Sequence, residues 1–135
     1  MENTTLYGNT GEVPDPADGD FLIPLGKADI KREGSDISLI AHGASVLRCL
    51  EAADILANEH NIHAEVVDLR SIRPLDQNTI IESVKKTNRA VLVDESKPFC
   101  GVSAQITTLI QEYAFDYLDA PVKRVCTIDA PAIYS

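Results

Sequence analysis

The chain has 135 residues, 44% of them hydrophobic and 24% charged, with a net charge of −9. That length predicts one domain with a real core, and that composition excludes a disordered or fibrous chain. The acidic balance excludes a basic surface for phosphate backbones and fits a basic partner instead, and no apolar run approaches the ~20 residues of a membrane span. Residues 1–24 are polar and interrupted by Pro14, Pro16, Gly11 and Gly19, which predicts a flexible linker or surface arm rather than a signal peptide. The cytoplasm is the default compartment, or the mitochondrial matrix for a eukaryotic protein.

Regular patterning begins at Leu25. The alternation in KADIKRE (27–33) predicts a short edge strand, closed by Gly34 and Ser35. ISLIAH (37–42) is almost wholly apolar, as a strand buried on both faces should be. Gly43-Ala44-Ser45 opens a helix with Ser45 as its N-cap, and Val46, Cys49, Leu50, Ala53, Leu56 and Ala57 recur at helical spacing up to Asn61. AEVVDL (64–69) predicts a second buried strand. Asp76 caps a helix carrying Ile80, Ile81 and Val84, whose last turn holds Lys85 and Lys86 against the negative end of its dipole. RAVLVDE (89–95) reads as a third buried strand and KPFCG (97–101) as a loop. Val102, Ile106, Leu109, Ile110 and Tyr113 mark a third helix, and VKRVCTID (122–129) a last strand. Alternating strands and helices predict a three-layer α/β/α sandwich around a five-stranded, mostly parallel sheet. The 27–33 strand has no room for a helical crossover before its successor, so it should run antiparallel at an edge.

In such a sheet, ligands sit beyond the carboxyl ends of the strands. Those ends carry His42, Asp68, Arg70, Asp94, Glu95 and Asp129. His42 with Glu95 or Asp68 is a candidate acid–base pair, and His42, Asp68, Arg70 and Glu95 form a candidate ligand cluster. The favoured reading is structural: Asp68 and Asp94 cap nearby backbone amides, and the arginines pair with them. Three dispersed cysteines without a CxxC read as thiols in a reducing compartment. His60 and His63 lack a third ligand nearby, DPADGD (15–20) lacks calcium-loop spacing, and no phosphate-loop, dinucleotide or nucleophile-elbow motif occurs.

The ordered segments IPLGKADIKREGSDISLIAHG, CLEAADIL, EVVDLRSIRPLD, SVKKTNRAVLVDE, GVSAQI and LDAPVKRV resemble the C-terminal domain of the β subunit of thiamine-diphosphate-dependent 2-oxoacid dehydrogenases, of the pyruvate, branched-chain and acetoin types, within the wider transketolase C-terminal class. The resemblance runs from about residue 22 to 130. It implies a five-stranded mixed sheet between helices, in an enzyme component that oxidatively decarboxylates a 2-oxoacid and passes the acyl group to lipoamide. It also implies that thiamine diphosphate and Mg2+ are held by domains absent from this chain, since the family's GDG…N motif is missing; no cofactor, metal or catalytic residue is then expected here. Asp68, Arg70, Arg73, Pro74 and Asp76 carry over as family signature residues with a structural role. The implied partners are the α-type and pyrimidine-binding domains of the same enzyme and the lipoyl acyltransferase core, with a homodimer as a further candidate. Residues 25–135 then form the domain, ending before the family's last helical segment. Two other assignments stand beside this one: the corresponding domain of a transketolase or deoxyxylulose-phosphate synthase, and a stand-alone small-ligand regulatory module.

Overall fold

The computed structural model describes residues 6–13, 15 and 22–131. Half of the predicted 1–24 arm, including all of DPADGD except Asp15, lies outside the described residues, as does the 132–135 end. In chain order the elements are strands β1 (Asp29–Arg32) and β2 (Ile37–Ala41), helix α1 (Ser45–His60), β3 (Ala64–Asp68), α2 (Gln77–Thr87), β4 (Ala90–Asp94), α3 (Val102–Ala114) with a 3-10 turn (Phe115–Tyr117), and β5 (Lys123–Cys126). The sheet order is β1-β3-β2-β4-β5. β2, β3, β4 and β5 pair in parallel, and β1 pairs antiparallel with β3, Asp29 opposite Asp68. The predicted mixed sheet with an antiparallel edge strand is therefore present; β2 and β3 start where predicted, and the other strand ends fall one to three residues inside the predicted runs.

Strand alternation sends side chains to opposite faces and so divides the core in two. Ile40, Val67 and Leu92 meet Ile80 and Val84 of α2 and Ile110 of α3 on one face. Leu39 and Val66 meet Val46, Cys49 and Ala53 of α1 on the other. The helix ends follow local chemistry. Asp76 is the N-cap of α2, accepting from the Thr79 N–H. Asn61 and Asn88 close α1 and α2 in the left-handed region, at φ 53 and 60. Ser45 is not an N-cap. Ala44 already has helical angles (φ −65, ψ −22) and caps α1 without a side-chain bond, which leaves Ser45 buried as the first helical residue.

Polar groups on the α2–α3 face are paired rather than absent. The Ser38 hydroxyl lies 2.7 Å from that of Ser83 and 2.6 Å from that of Thr87, and Thr87 donates to the Ser83 carbonyl. These bonds satisfy hydroxyls that would otherwise cost free energy on burial. Glu65, in mid-strand and only 1% exposed, is ion-paired with Lys86 of α2, and Lys86 also holds Glu33 at 2.8 Å. Gly34 is required beside this pair: a Cβ there would stand 2.2 Å from the Glu65 nitrogen.

Lys86→Ala should lower stability at pH 7 by about 2–3 kcal/mol, at the low end for losing one partner of a buried pair because Lys86 itself is 44% exposed. Urea unfolding of both proteins at pH 7 measures this.

Candidate functional site

The chain leaves β2 for β3 on one side and reaches β4 on the other, so the order in which the strands are connected reverses between the parallel neighbours β2 and β4. The crevice beyond their carboxyl ends is the place where a fold of this class takes a ligand. His42 follows β2 there, Glu95 follows β4, and Asp68 and Arg70 follow β3. His42 lines a recess with Leu69, Asp94, Val102 and Ser103, of about 10 Å3. That is near the minimum for one water molecule and well below a substrate.

The strand-end carboxylates are engaged by their own turns. Asp68 Oδ1 accepts the Arg70 N–H at 3.0 Å. The Arg70 guanidinium does not return to Asp68; it donates to Asp29 Oδ2 of β1 at 2.7 Å, while Arg124 donates to the Pro98 carbonyl at 2.8 Å. The predicted pairing of arginines with Asp68 and Asp94 is thus replaced by partners far away in sequence. Asp29 is held below the usual carboxylate range, chiefly by its bond to Lys31, which outweighs the opposing effect of burial, with the Lys31 and Arg70 charges adding to it.

Asp94, buried at the end of β4, accepts from Ser96 N–H at 2.9 Å, Ser96 Oγ at 2.6 Å and Ser103 N–H at 2.9 Å. Burial pushes its carboxyl up, but these bonds from Ser96 and Ser103 outweigh it and the net shift is downward. Ser103 is in the first turn of α3, whose N-cap position is Gly101, so Asp94 supplies from the strand the cap that Gly101 cannot. Gly101 leaves the room for this: a Cβ would stand 2.3 Å from Ser96 Oγ. Sequence reasoning assigned α3 no such cap, because the capping carboxylate sits nine residues before the amide it serves.

The segment 68–76 clasps the β1 region. Besides Arg70, Ser71 Oγ accepts the Gly26 N–H at 3.0 Å and donates to the Pro74 carbonyl at 2.7 Å. Asp76 Oδ2 accepts the Ala28 N–H at 3.1 Å and the Thr79 hydroxyl at 2.8 Å, and Oδ1 accepts the Thr79 N–H at 3.3 Å. Burial raises the Asp76 carboxyl, yet its bonds to Thr79 and Ala28 carry it below the normal range. Arg73 and Pro74 are joined by a cis peptide, with both side chains exposed. Ser71 and Gly26 escaped the sequence reading, because a lone serine in a loop and a glycine before a strand carry no signal.

Cys49 is buried in α1, and burial pushes its thiol up to about 11. A second, open groove of about 470 Å3 lies between α2 and β1, lined by Ile30, Glu65, Asn78, Thr79, Glu82, Ser83 and Lys86. Its floor carboxylate is already paired with Lys86. Among the described residues no group of three or more His, Cys, Asp or Glu could hold a metal ion, His60 and His63 included, and no helix is long and apolar enough to cross a membrane. Nor does the strand-end cluster fit a magnesium-bound diphosphate, since Asp94 is occupied by backbone and hydroxyl donors and the recess beside it, of about 10 Å3, is too small for one.

A family model described as the transketolase C-terminal domain matches residues 26–135. The chain is 45% identical, over its full length, to the pyruvate dehydrogenase E1 component subunit beta, mitochondrial, of Dictyostelium discoideum, covering 38% of that protein. It is 48% identical over 97% of its length to the corresponding subunit of Rickettsia felis, covering 39% of it. It is 46% identical over its full length to the acetoin:2,6-dichlorophenolindophenol oxidoreductase subunit beta of Bacillus subtilis, covering 38% of it. The chain thus spans about two fifths of the length of these relatives. A solved structure described as a split gene transketolase, inactive beta4 tetramer, superimposes with a TM-score of 0.73 at 29% identity, over 88% of this chain and 37% of that one.

Asp94→Asn should fold but lose stability at neutral pH by about 1–3 kcal/mol, because an amide accepts the Ser96 and Ser103 donors less strongly. The sign follows from the lowered folded value. The carboxylate's contribution is present above its unfolded value of about 3.9 and is lost as pH falls through the folded value. The wild-type chain should therefore lose more stability than Asp94→Asn on descending below about pH 4, which equilibrium denaturation from pH 7 to pH 2.5 reads directly.

Proposed function

The chain belongs to the transketolase C-terminal domain family, and we propose that it serves as the C-terminal domain of the β subunit of a thiamine-diphosphate-dependent 2-oxoacid dehydrogenase. The observation that carries this reading is the 45–48% identity, running through 97–100% of the chain, to β subunits of pyruvate- and acetoin-oxidising enzymes. The 29% identity to a transketolase structure supports the shared fold and ranks the transketolase assignment second.

The role is one of assembly, not of chemistry. Arg70, Ser71 and Asp76 spend their polar groups on holding the β1 region, Asp68 on its own turn and Asp94 on α3. Asp68, Arg70, Arg73, Pro74 and Asp76 are therefore assigned to architecture. The ten-cubic-ångström recess beside His42 offers a regulatory ligand no room, which disfavours the stand-alone module. Thiamine diphosphate and Mg2+ belong to the other domains of the assembled enzyme. The partners are the α-type subunit, the pyrimidine-binding domain and the lipoyl acyltransferase core, whose approach a net charge of −9 favours if its docking surface is basic. The enzyme would work in a bacterial cytoplasm or a mitochondrial matrix, the latter named for the Dictyostelium relative.

The purified chain with thiamine diphosphate and Mg2+ should release no carbon dioxide from pyruvate or 2-oxoisovalerate. The protein captured from its source cells by an antibody to this chain should release it, and the preferred acid identifies the complex. Turnover by the pure chain would overturn the assembly role; an inactive capture would overturn the dehydrogenase assignment.

A further inference from the structure

The recess beside His42 has no room for a ligand, but the groove between α2 and β1 has. Its volume of about 470 Å3 falls within the range of small-molecule sites. Ile30 and Glu65 line it from the sheet, and one face of α2, from Asn78 to Lys86, lines it from above. The fold creates this space. β1 is an edge strand bonded to β3 alone, while α2 packs over β2 and β3. Asn78, Glu82 and Lys86 follow one another at about one helical turn, so the groove runs for about 12 Å along the helix.

Charge selects the ligand. Lys86 brings a single ammonium to two carboxylates, Glu65 and Glu33. One turn earlier Glu82 adds a third carboxylate to the lining. Its partner Lys85 stands outside the lining, joined to it by an exposed 3.0 Å pair of the kind that contributes little. The groove therefore carries more negative charge than positive. Glu65, only 1% exposed, lies where a charge is screened least by solvent.

A bare metal ion does not suit this arrangement, since among the described residues no group of three or more His, Cys, Asp or Glu could hold one. An organic cation does. Its N–H groups can reach carboxylates spaced along the helix, and its carbon chain can lie on Ile30. The Thr79 hydroxyl already donates to Asp76 at 2.8 Å, so towards the groove it can only accept, as the Asn78 amide oxygen also can. The lining thus offers acceptors to a ligand made of donors and methylene groups.

We propose that the groove between α2 and β1 binds a linear aliphatic amine cation, of the diamine or aminoguanidine class, with its charged groups against Glu65 and Glu82 and its chain along Ile30. This goes beyond the assembly role proposed above and holds whichever acid the enzyme decarboxylates. A ligand seated there joins α2 to β1, and so stabilises the strand with the fewest bonds of its own.

Agmatine and putrescine are the probes. Calorimetric titration of the chain at low ionic strength should show saturable, one-to-one binding with a Kd no weaker than about 1 mM. Amide shifts in NMR spectra should be confined to α2, β1 and β3. n-Butanol, a carbon chain without the charge, should not bind. Glu82→Gln should weaken binding by about fivefold, the upper end for an exposed charge pair. Glu51→Gln removes the same charge from an exposed position of α1 and should leave binding unchanged. Asn78→Trp fills the groove from an exposed position and should abolish binding. Its thermal unfolding without ligand should match that of the wild-type chain, which separates a blocked site from a folding defect. Absence of saturable binding, equal losses from Glu82→Gln and Glu51→Gln, or binding that survives in a folded Asn78→Trp chain would each overturn the proposal. The second of these results would reduce the amines to counterions of a chain of charge −9.

Discussion

One carboxylate ties the edge of the sheet to its body. Asp76 is buried at the start of α2, where it accepts from the backbone and hydroxyl of Thr79 and from the backbone of Ala28, 48 residues earlier. The first two bonds start the helix. The third fixes the residue that precedes β1, the one strand that runs against the others. An edge strand of four residues has bonds to a single neighbour and little apolar surface of its own. Arg70 on Asp29 and Ser71 on the Gly26 amide repeat the same clasp from the same loop. A loop dense in Arg, Asp and Pro thus resembles a catalytic loop in composition while its polar atoms are consumed by topology.

The same economy governs the far side of the sheet. Gly101 brings no side chain to the start of α3, and Asp94 reaches from the end of β4 to fill that role. Its position is also the switch point of the sheet, where many α/β folds bind their ligand at free amides of a helix N-terminus. Here a carboxylate of the protein itself occupies that positive end. An anion approaching the crevice would meet Asp94 in place of open N–H groups, and the physical consequence is a rigid corner instead of a binding site.

Local chemistry made much of this fold readable. Apolar runs placed the strands, and Asp76 and Asn61 stand where capping physics puts such residues. The antiparallel edge strand followed from a connection too short for a crossover. What stayed hidden depends on distance along the chain. Nothing local in Arg70 says that its partner is Asp29 rather than Asp68, and nothing in Gly101 says that Asp94 will cap its helix. Ser45 misled because a serine before an apolar run has capping chemistry, while Gly43 (φ 60) and Ala44 had already begun the turn. Tyr113 marked α3 correctly, yet its side chain is exposed, because periodicity cannot tell an inward residue from an outward one at the margin of the stripe.

That last ambiguity bears on what the domain is for. Aromatic side chains carry more buried area apiece than any aliphatic residue. A chain of this size that seals its core without any of its described aromatics has another use for them, or tolerates a standing risk of aggregation. Polar groups show the reverse distribution: Asp76 and Asp94 are buried, and the bonding groups of Asp68, Arg70 and Ser71 are satisfied within the domain. Chemistry needs polar groups left free and apolar ones shielded. This domain satisfies its polar groups internally and leaves its described aromatic ones exposed, as a part made to be joined to other parts would.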